Sequence, residues 1–166
     1  MAGVTGACSN TAMAETRGTR YLRTEGVAFD VHTYRHDRKG AVFASDAIGI
    51  PLERFAKTLV ADAGGPVLVL MPGDRELSLR KLARVRGVKD AAMVDPKDAE
   101  RLTGYLVGGI GPFGTRRELP VLLDASFDAH DRIAVNGGGR GIIVELGRGD
   151  LVRLTAATVA DLAQEA

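Results

Sequence analysis

The sequence is poor in the residues on which several common classes of protein depend. It contains no tryptophan, and aromatic residues make up only 5% of its 166 positions, so aliphatic side chains must fill the core. Cys8 is the single cysteine, which excludes an internal disulfide and fits a reducing compartment. No apolar run approaches the roughly 20 residues of a membrane span, and the N-terminus lacks a signal-peptide pattern. We therefore expect a cytoplasmic protein without a membrane partner.

An excess of charge of one sign is also missing. The chain has 22 basic and 21 acidic residues, for a formal net charge of +1. This balance argues against a protein that coats nucleic acid through bulk charge. One local basic cluster stands out, and it is either a solvated helix face or a contact with an RNA backbone. Its members are Arg80, Lys81, Arg84, Arg86 and Lys89.

The order of the expected elements indicates the fold class. We expect residues 1–14 to be a flexible leader and residues 15–166 to be a single domain. Helical and strand patterns then mix irregularly, without regular βαβ alternation. This order predicts an α/β protein of the α+β type, with a curled, mixed, largely antiparallel sheet or barrel surrounded by helices.

A few residues predict where individual elements begin and end. Ser78 is expected to cap a helix that runs to about Arg86 and stops at Gly87. The residues from 137 to 141 suggest a hairpin turn, because four of the five are glycine. Thr158 is expected to begin a final helix.

Familiar catalytic motifs are absent from the sequence. It has no G-x-S-x-G elbow, no H-E-x-x-H and no paired cysteines. His32 and His36 suggest either a metal pair or a strand histidine followed by a loop histidine, and no third ligand is evident. We therefore expect no metal and no cofactor.

Lys57 lies in an otherwise apolar, strand-like run. It shares a face with Phe55 and Leu59 if the run is a strand. On one interpretation the ammonium reaches the solvent side of a half-buried strand; on the other it binds a phosphate or carbonyl oxygen.

A second unusual segment runs from Gly104 to Pro112 and contains four glycines. It is either a helix C-cap followed by a turn or a set of backbone N–H groups that stabilise an oxyanion. Asn136, before the next glycine run, is placed to offer its amide to the same ligand.

Taken in order, several short motifs resemble the YbaK/EbsC family of free-standing aminoacyl-tRNA deacylases, from about residue 16 to the C-terminus. They are Val31-His32-Thr33-Tyr34-x-His36-Asp37, Ala56-Lys57-Thr58-Leu59, Leu79-x-Lys81-Leu82-Ala83, the run from Thr103 to Gly114, Leu119-Pro120, Asp124, Gly137-Gly138-x-Arg140-Gly141 and Glu145-Leu146. The resemblance implies a trans-editing enzyme that removes a mischarged amino acid from tRNA, above all Cys-tRNA(Pro), with the substrate thiol attacking its own ester. The implied partners are aminoacyl-tRNA and a prolyl-tRNA synthetase.

The same resemblance implies roles for particular residues. Lys57 would hold the acyl or 3′-phosphate end of the substrate, and Gly108 and Gly109 would act through their backbone. The implied substrate-binding residues are Tyr34, Thr58, Gly104, Gly111, Pro112, Asn136 and Gly137.

Asn136 departs from the serine that this family commonly has before its Gly-Gly pair. The amino-acid preference is therefore open. The alternatives are an enzyme that edits Ala-, Ser- or Thr-tRNA with a water nucleophile, or a catalytically silent binding module.

Overall fold

The computed structural model describes residues 15–35 and 40–164. The expected leader and His36 lie outside these ranges. The α-helices are α1 (Arg17–Thr24), α2 (Ala41–Ile48), α3 (Leu79–Arg86), α4 (Pro96–Thr103) and α5 (Arg148–Thr155). Two 3-10 turns cover Leu52–Arg54 and Ala125–Ala129. The strands are β1 (Phe29–Thr33), β2 (Ala56–Asp62), β3 (Pro66–Pro72), β4 (Ala92–Met93), β5 (Val121–Asp124), β6 (Arg132–Gly139), β7 (Ile142–Gly147) and β8 (Thr158–Ala160).

The strands form two sheets. The smaller has the order β1-β7-β6 and is antiparallel throughout. The larger has the order β4-β2-β3-β5-β8. In it, β2 pairs antiparallel with β3 and β4, whereas β3–β5 and β5–β8 are parallel. The expected mixed α/β fold is therefore confirmed.

A closed barrel, which the sequence analysis allowed, is wrong for the part of the chain that the structure describes. A single parallel bridge, from Phe55 to Ala134, joins the two sheets there. The sheets stack rather than merge, because alternate residues of β2, β3 and β5 face the smaller sheet. Val60, Leu68 and Leu123 join Val135 and Val144 in the largest core cluster.

The helices cover both faces of the larger sheet. Leu151 of α5 packs into the core between the sheets, and so does Leu102 of α4. Leu82 of α3 packs on the opposite face, against Val69 and Leu122. Burying each of these side chains contributes about 1.5–3 kcal/mol, so α3 and α5 are fixed on opposite sides of one sheet.

The structure confirms some expected boundaries and corrects others. Ser78 caps α3 by accepting a hydrogen bond from the Lys81 N–H at 3.2 Å, and Gly87 ends the helix with a φ of 68°. The expected final helix at Thr158 is wrong, because Thr158–Ala160 pairs with β5 as a strand. Two of its three residues are β-branched, which favours a strand.

The glycine-rich segment after Asn136 also differs from the expected turn. Gly137–Gly139 belongs to β6, and the turn to β7 is made by Arg140 and Gly141. A shift in the β6–β7 register between Asn136 and Gly139 marks a bulge. Within the described residues, no helix is long and apolar enough to cross a bilayer.

Candidate functional site

A cavity of about 200 Å³ opens where the start of β2 meets α2, the loop after α4 and the middle of β6. Five of the residues that the sequence analysis selected line it: Tyr34, Lys57, Thr58, Gly108 and Asn136. Most of the remaining wall is apolar, from Ala41, Ala44, Phe55, Val107, Ile110 and Ile143. A small apolar cavity with a few polar groups is typical of a ligand site.

Lys57 supplies the positive charge at this cavity. Its side chain is 23% exposed, and its Nζ lies 3.3 Å from Oε1 of Glu76, whose side chain is 76% exposed. Leu59, which shares the strand face of Lys57, packs against the cluster beneath α3. Phe55 precedes β2 and packs instead with Ala134. The ammonium is therefore half-buried, and its carboxylate partner is free to move away.

Thr58 presents a hydroxyl that none of the described residues satisfies. Its Oγ1 is buried and has no hydrogen-bond partner in the ranges that the structure describes. A buried hydroxyl without a partner costs about 1–3 kcal/mol, so a polar ligand atom in the cavity would relieve this cost.

The segment from Val107 to Gly111 is held by its neighbours rather than loose. The Val107 N–H donates to Oε2 of Glu100 at 2.8 Å, and Nε of Arg140 donates to the Val107 carbonyl at 3.0 Å. The Gly109 N–H donates to the Leu106 carbonyl at 2.8 Å and is already used. Gly108 has a φ of 94°, and its N–H makes no hydrogen bond to any described residue. The Gly111 N–H likewise makes no hydrogen bond to a described residue, but of these two glycines only Gly108 lines the cavity, so its amide is the one available to a ligand there.

Asn136 ties this segment to β6. Its Oδ1 accepts hydrogen bonds from the N–H groups of Gly138 at 2.7 Å and Gly139 at 3.0 Å. Its Nδ2 donates to the Gly108 carbonyl at 3.3 Å. A serine has no planar group with an acceptor and a separate donor. Asn136 therefore holds the segment at a fixed position against β6.

The other glycines of the segment serve close packing. A Cβ on Gly111 would lie 2.2 Å from the Asn136 carbonyl oxygen, and one on Gly109 would lie 2.8 Å from the Arg140 nitrogen. Both positions therefore require glycine, because the β6 backbone leaves no room for a side chain.

Three further residues from the sequence analysis lie away from the cavity wall. Gly104 caps α4 with a φ of 78° beside the Arg17 guanidinium. Pro112 lines a different cavity, next to Phe113. The Gly137 carbonyl accepts a hydrogen bond from Oγ1 of Thr16.

Tyr34 lies at the rim formed by β1. Burial raises the pKa of its hydroxyl, against the opposing effect of a backbone hydrogen bond with Gly141. Its ring meets that of Phe43 edge-on, with centroids 6.0 Å apart. The contact with Phe43 holds the ring in place as an apolar part of the cavity wall. The raised pKa keeps its hydroxyl protonated.

Sequence reasoning missed a charged network behind the cavity. Glu145 of β7 is only 12% exposed; its Oε1 lies 3.0 Å from Nε2 of His32, and its Oε2 accepts from Nη1 of Arg54 at 2.6 Å. Burial opposes ionisation of Glu145, but hydrogen bonds from Arg54 and His32 and the charge of Arg132 outweigh it and lower the pKa of this carboxyl.

The network fixes the chain just before Lys57, because Arg54 ends the 3-10 turn that leads into β2. The only sequence signal for this network was that the polar residues Asp30 and His32 alternate along β1. Their partners could not be inferred from it, because β7, which pairs with β1, lies far along the chain. No group of three potential metal ligands occurs within residues 15–35 and 40–164.

The cavity thus combines a half-buried ammonium, a free amide and an unpaired hydroxyl, which suits a small ligand with carbonyl or phosphate oxygens. Comparison with known proteins identifies the class. The model of the aminoacyl-tRNA editing domain family matches residues 37–154. The chain belongs to this family and is an enzyme that acts on aminoacyl-tRNA.

Individual relatives agree with this assignment. The chain is 34% identical to EbsC of Enterococcus faecalis, provisionally named a Cys-tRNA(Pro)/Cys-tRNA(Cys) deacylase, over 89% of this chain and 93% of that protein. It is 32% identical to the multifunctional Ser/Thr-tRNA deacylase ProXp-y of Escherichia coli K12, over 80% of this chain and 83% of the other. A crystal structure described provisionally as a trans-editing enzyme for prolyl-tRNA synthetase superposes with a TM-score of 0.82, at 28% identity, over 90% of this chain and 96% of that one.

Proposed function

We propose that this enzyme edits in trans, releasing a small mischarged amino acid from tRNA(Pro), with Cys-tRNA(Pro) as its preferred substrate. The observation that carries the proposal is the cavity, which joins Lys57, Thr58 and the free amide of Gly108 in about 200 Å³. This volume is below the ~300–1,000 Å³ of clefts that hold drug-sized ligands. It suits a small acyl group.

The cavity wall also supports a substrate-assisted mechanism. Among the described residues, its lining contains no cysteine, histidine or carboxylate to serve as nucleophile or general base. The cysteinyl thiol attacks its own ester carbonyl: a C–S bond forms, the bond to the ribose oxygen breaks, and the thiol proton ends on that oxygen. The products are a cyclic thiolactone and free tRNA. The enzyme contributes the folded substrate pose and stabilises the oxyanion.

In this proposal Lys57 and Gly108 face the developing negative charge. The ammonium acts as a point charge on the carbonyl or terminal phosphate oxygen, and the Gly108 N–H adds a directed donor. Gly109 and Gly111 hold the segment against β6, and Asn136 sets its distance from the cavity. Tyr34 closes the apolar side.

The hydroxyl of Thr58 favours one second candidate, an enzyme that edits Ser- or Thr-tRNA. A substrate hydroxyl would satisfy Oγ1 of Thr58 better than a thiol, which is a weak donor and a weak acceptor. The relative named a Ser/Thr-tRNA deacylase supports this alternative. It requires water as the nucleophile, and its product is the free amino acid.

The test is deacylation of Cys-, Ser-, Thr-, Ala- and Pro-tRNA(Pro) by wild type and Lys57→Ala, with Lys97→Ala, at an exposed helical lysine, as the matched control. Three results together would support the proposal: only Cys-tRNA(Pro) is deacylated, mass spectrometry detects the thiolactone product, and Lys57→Ala abolishes the reaction. Release of free Ser or Thr would favour the second candidate. An inactive wild type would indicate a binding module.

Two further parts of the proposal concern where the enzyme works. A small amino-acid pocket in a synthetase cannot reject a slightly smaller residue by affinity alone, which is why separate editing is needed. We infer action in the cytoplasm, where charged tRNA is used, and capture of the substrate beside prolyl-tRNA synthetase. Faster clearance of Cys-tRNA(Pro) in the presence of that synthetase would support this partnership.

A further inference from the structure

The basic cluster of α3 divides into two groups in the structure. Lys81 donates to Asp161 and to the Ala163 carbonyl, and Arg86 donates to the Ala63 carbonyl, so these two serve the fold. Arg80, Arg84 and Lys89 are exposed and make no hydrogen bond or ion pair with any described residue. These three line one concave surface with a volume of about 390 Å³.

The local stability of α3 explains only part of these charges, because Arg84 lies in the last turn, where a cation favours the helix dipole. Arg80 and Arg84 are four residues apart, a spacing at which like charges destabilise a helix by a few tenths of a kcal/mol. Arg80 also lies in the first helical turn, where a cation opposes the helix dipole. No acidic residue occurs in α3, and Asp90 is the only carboxylate among the described residues that line this surface. The surface is therefore locally electropositive and suits a polyanion.

The position of this surface relative to the cavity is the third argument. Lys57 and α3 lie on the same face of the larger sheet, since Leu59, on the strand face of Lys57, packs in one cluster with Leu82 of α3. The concave surface lies at the other end of β2, where Ala92 pairs with Asp62. Asp62 is five residue steps along the strand from Lys57, which is roughly 16 Å.

We propose that Arg80, Arg84 and Lys89 bind backbone phosphates of the tRNA whose aminoacyl end occupies the cavity. This inference rests on the proposed function for the identity of its ligand. Contacts of this kind position a nucleic acid without reading its sequence. The near-neutral net charge means that the attraction comes from local basic surfaces such as this one rather than from the whole molecule.

The test compares Arg84→Glu with Arg153→Glu, which reverses an exposed arginine of α5 on the opposite face of the same sheet. Binding of uncharged tRNA is measured by fluorescence anisotropy across a salt series. We expect Arg84→Glu to weaken binding by about 10-fold and to lower the slope of log K against log salt by about one. Arg153→Glu should match wild type.

A second measurement separates this inference from the proposed function. For an active wild type, Arg84→Glu should raise KM for charged tRNA and leave kcat, and the hydrolysis of a short aminoacyl-CCA fragment, unchanged. Equal tRNA binding by both variants, or no binding by wild type at low salt, would overturn the inference whether or not deacylation is seen. A wild type that binds through Arg84 but hydrolyses nothing would overturn the proposed function alone.

Discussion

At the scale of single residues, the unsatisfied hydroxyl of Thr58 allows stability and activity to be separated. Thr58→Val keeps the shape and removes the buried polar atom, so the free energy of unfolding should rise by about 1 kcal/mol. Turnover should fall about 10-fold, because the substrate loses a hydrogen-bond partner. Urea unfolding and single-turnover deacylation measure the two effects.

Thr58→Ser is the matched control, since it retains the hydroxyl. It should keep most of the activity without the gain in stability. Loss of stability in Thr58→Val would show that Oγ1 is already satisfied and would remove this argument for the site.

Glu76 provides a second test at this scale, because its carboxylate competes with the substrate for Lys57. The pair is exposed on the Glu76 side, so its worth is at most about 1 kcal/mol. Glu76→Gln should raise kcat/KM about 2- to 5-fold at low salt, and the gain should shrink as salt increases. Asp74→Asn, which removes a nearby exposed carboxylate, should leave kcat/KM unchanged. Equal effects of the two substitutions would contradict the competition.

At the scale of elements, Asn136 joins the β6 bulge to the loop after α4. Asn136→Ala removes three hydrogen bonds and should cost about 2 kcal/mol of stability and most of the turnover. Asn136→Asp keeps the two accepted bonds, but it loses the donor and places a negatively charged oxygen against the Gly108 carbonyl. We therefore expect Asn136→Asp to recover stability more than activity, as chemical unfolding and deacylation assays will show.

Two glycines offer a matched pair for the close packing of these elements. A Cβ on Gly111 would clash with the Asn136 carbonyl, whereas one on Gly149, in the first turn of α5, would meet nothing within 4 Å. Gly111→Ala should therefore destabilise the protein by more than about 3 kcal/mol or prevent folding. Gly149→Ala should stabilise it by about 0.5–1 kcal/mol. The melting temperatures of both variants test this contrast, and similar shifts in the two would contradict it.

Elements with local signals were predictable from the sequence. Ser78 and Gly87 mark both ends of α3 because caps act over a few residues. The strand at Thr158 was not predictable, since its partner β5 lies more than thirty residues earlier and only that pairing makes it a strand. For the same reason the hydrogen-bond network of Glu145 was not predictable, since its partners His32 and Arg54 are 113 and 91 residues away.

The candidate site was partly predictable for a related reason. Lys57 and the glycines are unusual in their local sequence, so each could be predicted as a candidate site residue. Which glycines face the cavity depends on how the loop lies against β6. Gly111 turned out to touch the Asn136 carbonyl rather than the cavity wall. No sequence pattern distinguishes these two kinds of glycine.

At the scale of the whole molecule, Glu145 makes stability depend on pH. Its pKa is lowered in the folded state, so the stabilisation is fully present above the ordinary value of 4.5 and is lost as pH falls through the folded value. Unfolding free energies of wild type and Glu145→Gln, measured from pH 7 to pH 3, should differ most at neutral pH and converge below 4.5. A constant difference would contradict the role of this carboxylate.

Two stacked, open sheets leave strand edges that a closed barrel would not have, and open edges invite pairing with neighbouring molecules. The edges of the larger sheet are very short, with two residues in β4 and three in β8. On the smaller sheet, the outer strand β1 places Asp30 and His32 on either side of the buried Val31. Short edges and a charged outer strand of this kind disfavour pairing with neighbouring molecules, so the larger sheet and the β1 side of the smaller one can stay open at little risk of self-association during synthesis.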